Sequence, residues 1–192
     1  MTNRSVRSRR LHASSLIVTS LLLVACGSDD KSSDSVAAPG TTEGDGTIDI
    51  VATDYAFAGM PATVKPGSKF ALSNSSDKEL HEFVVFKLPE GETRPLAELV
   101  ALPEAEGEAL VGEGPPTMVL IVPPASDEQI MAVGDGTVTD PGRYVALCFI
   151  PEGADPQEYL EAAQAGGEGP PQVEGGPPHV ALGMSAEFTV EG

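Results

Sequence analysis

The chain has 192 residues, of which 41% are hydrophobic, and a formal net charge of −18. This length predicts one compact domain and leaves little room for a second hydrophobic core. The excess of acidic residues argues against nucleic acid as a partner and against charge-driven binding to anionic lipid, and it favours a basic or cationic partner. The alternative is that the acidic residues only keep an exported protein soluble.

Residues 1–25 have the pattern of an export signal. Four Arg and no acidic residue accompany an apolar run from Leu16 to Ala25, which is too short to remain as a membrane span. The run ends in Leu-Val-Ala-Cys, which resembles the bacterial lipobox, whose Cys carries diacylglycerol and becomes the mature N-terminus. The sequence therefore predicts a lipoprotein signal peptide and lipidation of Cys26. An ordinary signal peptide with an incidental Cys is the alternative.

The segment that follows predicts a flexible tether over residues 26–46, because it is rich in Gly, Ser and Asp and has no apolar periodicity. Two or more acyl chains hold a protein durably at a membrane. We therefore expect an exported domain, residues 47–192, anchored by lipid at the extracytoplasmic face of the cell membrane. Removal of residues 1–25 takes the net charge from −18 to −22.

Residues 47–192 predict an all-β domain. The candidate strands are rich in β-branched and aromatic residues and are bounded by Gly, Pro or Asn-Ser turns. About seven short strands with turns between them predict a Greek-key β-sandwich. The runs are TIDIVATDYAF, ATVKPG, KFALSNSS, LHEFVVFKL, TMVLIV, EQIMAV, GRYVALCFI and SAEFTV.

Two insertions interrupt the strand pattern. Residues 89–116 are acidic and punctuated by Pro and Gly, with a short helix expected over Pro95 to Leu102. Residues 151–178 contain a second expected helix, Pro156 to Ala165, because Pro suits a first helical turn and Gly166-Gly167 ends the pattern.

The mature domain has few side chains that bind soft metals. Once Cys26 is lipidated, its imidazoles are His81 and His179 and its thiol is Cys148. A single thiol cannot form an internal disulfide, and an idle thiol outside the cell is prone to oxidation. Metal ligation would explain its presence, and a small buried apolar residue is the alternative.

The positions of these residues favour one site. His81 opens a strand, and Cys148 closes another on which Tyr144, Ala146 and Cys148 share a face. His179 and Met184 lie on the final loop. Each residue alone is more often structural, but together they form a set of two imidazoles, one thiolate and one thioether.

This ligand set predicts one copper ion that serves as both Cu(I) and Cu(II). A structural zinc site requires four good donors, and a thioether is a poor one. Iron–sulfur clusters need more thiolates, and haem attachment needs a Cys pair before His.

At these residues the chain resembles the cupredoxin family of plastocyanin-like and azurin-like blue copper proteins. The resembling motifs are KFALSNSS, LHEFVVF, DPGRYVALC and PPHVALGMSAEFTV. The resemblance implies that His81, Cys148 and His179 are the strong ligands and Met184 the axial one. Two features depart from the family. Thirty residues separate Cys148 from His179, and Glu82 stands where the family often has Asn.

The resemblance implies outer-sphere, one-electron transfer at a mononuclear type 1 site, without substrate turnover. It implies that the ring of His179 reaches the surface as the electron exit and that an apolar rim around it docks the partner. Ordinary packing of the loop explains these rim residues equally well. The acidic insertion is a candidate for steering a basic redox partner, although a solvated loop is the simpler reading. The rim residues are Pro177, Pro178, Val180 and Leu182; the acidic residues are Glu104, Glu106, Glu108 and Glu113.

Two other functions stay open. A copper-binding storage or chaperone lipoprotein would use the same ligands, and a cupredoxin-like binding scaffold would hold no metal. A copper enzyme would need further His ligands, and the sequence has no Ser/His/Asp arrangement, phosphate loop or carboxylate pair at catalytic spacing. We therefore expect a protein that is not an enzyme.

Overall fold

The structure is a computed structural model that describes residues 46–112, 114–166 and 170–192. The predicted signal peptide, Cys26 and the tether up to residue 45 lie outside the described residues, as does Glu113 of the acidic insertion. Within the described ranges, every helix is too short or too polar to cross a membrane.

Most of the regular structure is β-strand, as the sequence predicted. The runs of alternating apolar residues form strands whose buried positions repeat every second residue, as in Thr47–Thr53 and Ser68–Asn74. The strands are β1 (Thr47–Thr53), β2 (Ala56–Ala58), β3 (Thr63–Val64), β4 (Ser68–Asn74), β5 (His81–Lys87), β6 (Met118–Val122), β7 (Ile130–Val133), β8 (Thr137–Val138), β9 (Gly142–Leu147) and β10 (Ser185–Val190).

These strands form two mixed sheets, which confirms the predicted β-sandwich. The first sheet has the order β2-β1-β4-β8 and the second the order β3-β10-β9-β5-β6-β7. Two pairings are parallel, β1 with β4 and β3 with β10, and the others are antiparallel. The sequence did not predict β8, a two-residue strand that pairs with the start of β4.

Aromatic side chains fill the space between the sheets. Phe57 and Phe70 of the first sheet contact Phe83 of the second, with ring centroids 5.0 and 5.5 Å apart. Phe70 also contacts Phe188, which stacks on Tyr144 at 5.2 Å. All five side chains are buried, so this cluster forms the core and fixes how the sheets pack.

The first insertion covers the outer face of the second sheet. Its helices are α1 (Leu96–Leu99), shorter than predicted, and α2 (Glu104–Val111), which the sequence did not predict. Leu99 packs against Leu88 and Val145 in a second apolar cluster. The strand β5 is buried at its first five positions instead of alternating, and the second insertion contributes to this because its Tyr159 covers the outward-facing Glu82.

The second insertion contains α3 (Pro156–Ala165), with the bounds that the sequence predicted. The Asp155 side chain accepts hydrogen bonds from the backbone N–H groups of Gln157 and Glu158, which caps the helix, and Gly166 ends it with φ of 73°.

Asn74, at the end of β4, joins the two loops that flank the start of β5. Its Nδ2 donates to the carbonyl oxygens of Glu79 (2.7 Å) and Pro123 (3.1 Å), and its Oδ1 accepts from the N–H of Ser76 (2.8 Å). Because these bonds lie in the segment that leads into His81, Asn74 holds the position of that histidine.

Replacing Asn74 by alanine is expected to lower the free energy of unfolding by about 2–4 kcal/mol, because several buried backbone groups lose their partners. Urea denaturation measures this loss. Ser73→Ala on the same strand is the matched control, since Ser73 makes one long bond of 3.4 Å to the carbonyl of Ile50. Equal losses in the two variants would contradict the role assigned to Asn74.

Candidate metal centre

Three buried side chains from distant parts of the sequence meet at one end of the sandwich. His81 is the first residue of β5, Cys148 directly follows β9, and His179 begins a 3₁₀ turn, His179–Leu182. Their side chains are inaccessible to solvent. One ligand atom from each lies within 4.8 Å of the other two. Among the described residues, the structure thus brings together the three strong ligands that the sequence predicted.

The three donor atoms have spacings that suit one ion. His81 Nδ1 lies 3.2 Å from His179 Nδ1, and Cys148 Sγ lies 3.4 Å from His179 Nδ1. Nitrogen and sulfur ligands lie about 2.0–2.3 Å from a bound metal, so two ligands of one ion lie about 3–4 Å apart. Two facing ring nitrogens also need a proton or a cation between them. The arrangement therefore fits a metal ion.

The electrostatics of both histidines keep them neutral, as metal ligation requires. Burial, together with the neighbouring His179, lowers the pKa of His81 to about 4. Burial also lowers the pKa of His179, although nearby carboxylates oppose this shift. Glu79 Oε2 lies 3.3 Å from His179 Nε2, outside hydrogen-bond geometry. This carboxylate favours a proton on Nε2 and a free lone pair on Nδ1.

Cys148 is held with its sulfur in the site. The structure ends β9 at Leu147, one residue before the predicted strand end, and Tyr144, Ala146 and Cys148, which the sequence placed on one face, are all buried. The N–H of Glu82 donates to Sγ at 3.5 Å. Burial, followed by the nearby Glu82 carboxylate, raises the pKa of the thiol. A metal ion must therefore displace the thiol proton when it binds.

Met184 follows the turn of His179 and is fully buried. Its N–H donates to the carbonyl of His179 at 2.9 Å, and its carbonyl accepts from the N–H of Cys148 at 3.3 Å. These bonds place the Met184 backbone beside two of the candidate ligands. Its assignment as an axial ligand stays a prediction.

The long chain between Cys148 and His179 closes on itself at its two ends. The N–H of His179 donates to the carbonyl of Ile150 (2.9 Å), and the N–H of Val180 donates to that of Cys148 (2.8 Å). Pro151 and Pro178 form an isolated antiparallel bridge, and a side chain at Gly175 would collide with Pro151. Backbone pairing at the two ends of the insertion therefore returns His179 to the site.

Glu82 is a functional residue whose role the sequence reasoning missed. The residue is 3% exposed. Oε1 accepts from the N–H of Phe149 at 3.0 Å, and Oε2 accepts from the hydroxyl of Tyr159 on α3 at 2.8 Å. Glu82 thus ties the segments of His81 and Cys148 together and links both to the second insertion. An acidic residue within the apolar run LHEFVVF was the available signal.

The expectation that the His179 ring reaches the surface is wrong. The side chain is 0% exposed because Tyr55 packs edge-on against it, with ring centroids 5.0 Å apart. The rim that the sequence predicted is open to solvent at Pro177, Pro178 and Leu182.

Tyr55 adopts a backbone conformation that is unusual for a tyrosine. It occupies the tight turn between β1 and β2 with φ of 61°, in the left-handed region. That conformation costs a residue with a Cβ about 1–2 kcal/mol. Its hydroxyl donates to Glu152 Oε1 at 2.9 Å, which raises the pKa of the phenol to about 12. The tyrosine stays protonated and spans from the β1–β2 turn to the second insertion.

The chain is similar to solved structures of auracyanins. A dithionite-reduced auracyanin from the photosynthetic bacterium Roseiflexus castenholzii is 20% identical, with coverage of 76% of this chain and 97% of that chain and a TM-score of 0.40. Auracyanin A, described as a "blue" copper protein from Chloroflexus aurantiacus, is 17% identical, with coverages of 79% and 99% and a TM-score of 0.42. Auracyanin B is 15% identical, with coverages of 81% and 91% and a TM-score of 0.32.

No family model matches the sequence, and no curated protein matches it.

Proposed function

We propose that this chain is a mononuclear type 1 copper protein that carries one electron at the extracytoplasmic face of the cell membrane. The observation that carries the proposal is the convergence of His81 Nδ1, His179 Nδ1 and Cys148 Sγ in a buried site. Two imidazoles and one thiolate, with Met184 close by in the chain, form the donor set of blue copper. Bound copper would supply the change between Cu(I) and Cu(II).

The side chains around the site favour electron transfer over copper storage. Asn74 fixes the segment that leads into His81, Glu82 fixes the segment of Cys148, and backbone bonds fix His179. Ligands held in this way move little when the charge of the ion changes, which lowers the barrier to electron exchange. A copper store or chaperone would instead need ligands that an acceptor can reach, and all three are buried.

A basic protein is the redox partner that the surface favours. Glu104, Glu106 and Glu108 on α2 are exposed. Beside them lies an apolar groove of about 580 Å³, between the first insertion and the outer face of the second sheet, whose lining extends to Pro178 and Val180 next to His179. A partner with an apolar side chain among Lys or Arg residues would fit both features.

The N-terminal sequence supports the proposed location. The export signal over residues 1–25 and the lipobox Cys26 would place the domain outside the cytoplasm on a lipid anchor. The acidic tether would keep the domain close to that membrane while it meets its partner.

Addition of Cu(II) to the apo protein tests the proposal. We expect an intense visible absorption band from thiolate-to-copper charge transfer and an EPR spectrum with narrow copper hyperfine splitting. Cys148→Ser removes the sulfur with little change in volume, so the band should disappear while the fold, followed by circular dichroism, is retained.

Other outcomes identify the alternatives. A pale, tetragonal spectrum that Cys148→Ser does not change would contradict the type 1 assignment and favour storage. Absence of copper binding would favour a metal-free scaffold.

A further inference from the structure

Tyr55 lies between the candidate metal centre and solvent. The tyrosine is partly buried, whereas the His179 side chain that it contacts is fully buried. Its ring meets the imidazole at an interplanar angle of 64°, and its hydroxyl binds Glu152. Through this contact, the β1–β2 turn closes over a ligand that lies 124 positions further along the chain.

The backbone of Tyr55 indicates that the side chain matters at this position. Its φ of 61° is a conformation that Gly or Asn adopts more readily in a two-residue hairpin turn. Among the described residues other than glycine, Ala125 is the one further example of positive φ. Strained backbone of this kind is often retained where a side chain has a role that outweighs its cost.

The anchor of Tyr55 is itself tied to the turn of His179. Glu152 accepts the tyrosine hydroxyl, and the backbone N–H of Glu152 donates to the carbonyl of Pro177 at 3.0 Å. The N–H of Gly176 returns a bond to the carbonyl of Glu152 at 2.8 Å. The hydroxyl of Tyr55 is thus anchored at the point where the second insertion returns to the site.

We propose that Tyr55 is a cover for the metal centre, a positioning residue that shields His179 from solvent and limits the exchange of the bound ion. The proposal rests on the copper function proposed above, but shielding of His179 also belongs to the apo protein. Loss of the cover should leave the ligands in place and open the path from His179 to solvent. Bound copper should then exchange faster than in the wild type.

The extraction of copper by an excess of a chelator such as EDTA tests the cover on the full chain loaded with Cu(II). Tyr55→Gly removes the ring and its hydrogen bond, and it relieves the positive φ, so the variant should fold as well as the wild type. We expect extraction to be about tenfold faster or more, because one aromatic contact and one hydrogen bond no longer hold the site closed. The visible spectrum should keep its band.

Two further variants serve as controls. Tyr55→Phe keeps the ring over His179 and loses the bond to Glu152, so extraction should rise by no more than about threefold. Ala125→Gly relieves the other described positive φ without touching the contact between Tyr55 and His179, and it should leave the rate unchanged. An extraction rate in Tyr55→Gly equal to that of the wild type would overturn the proposal.

A measurement on the apo protein separates the cover from the copper function. Diethyl pyrocarbonate modifies exposed imidazoles, and mass spectrometry locates the modified residue. His179 should react slowly in the wild type and in Tyr55→Phe, and about tenfold faster in Tyr55→Gly. If the wild type binds no copper but this contrast is seen, the proposed copper function is wrong, whereas the shielding of His179 by Tyr55 is confirmed. If His179 reacts equally in all three proteins, the cover fails.

Discussion

Replacing Glu82 by alanine is expected to lower the free energy of unfolding by about 3–5 kcal/mol. The variant leaves the N–H of Phe149 and the hydroxyl of Tyr159 without their acceptor in a buried site, and each loss costs about 1–3 kcal/mol. The removed carbons also leave a cavity beside Cys148. Urea denaturation of the apo protein measures the change.

The same variant should disturb the metal centre. Glu82 links the segment of His81 to that of Cys148, so its loss should shift or broaden the thiolate-to-copper band. Glu82→Gln is the matched control, because its amide oxygen can still accept from Phe149 and its size is unchanged. Tyr159→Phe isolates the link to α3. A loss below about 1 kcal/mol in Glu82→Ala would show that this carboxylate does not hold the site.

The apo protein is expected to lose stability as the pH falls from about 6.5 to about 4. Burial lowers the pKa of His81 to about 4 and also lowers that of His179, so the unfolded chain takes up protons in this range before the folded chain does. Stability therefore rises with pH through this window, by about 2 kcal/mol for His81 alone. Thermal unfolding at a series of pH values measures the slope.

In part of this pH range, protonation of Glu82 changes the stability in the opposite direction. Burial raises its pKa above the ordinary value, so the folded state takes up this proton before the unfolded state does, and stability gains as the pH falls. A Glu82→Gln background removes this contribution, so the stability should fall more steeply as the pH falls. Adding His81→Phe to that background should make the dependence of stability on pH shallower. An unchanged slope after His81 is removed would contradict the assignment of the pH dependence to the facing imidazoles.

Local patterns predicted most of the secondary structure. The alternating runs became strands, and Pro156 with Gly166 marked the bounds of α3 because caps and turns act over a few residues. Hydrophobic spacing did not predict α2. Gly107 interrupts this segment and none of its residues is buried, so its apolar residues do not follow the spacing of a helix that packs on a core. The pattern also missed that Asp54 and Tyr55 divide the first run into a hairpin.

The sequence by itself determined the chemical inventory: His81 and His179 are the imidazoles and Cys148 the thiol of the described chain, and together with the thioether of Met184 their types already favoured copper. Only the tertiary structure decided that these atoms meet, that Glu82 joins their segments, and that Tyr55 buries His179. The reason is physical. Ligand chemistry is a property of single residues, and strand formation depends on residues that are neighbours along the chain. A contact between residues about a hundred positions apart depends on how two sheets and an insertion pack together.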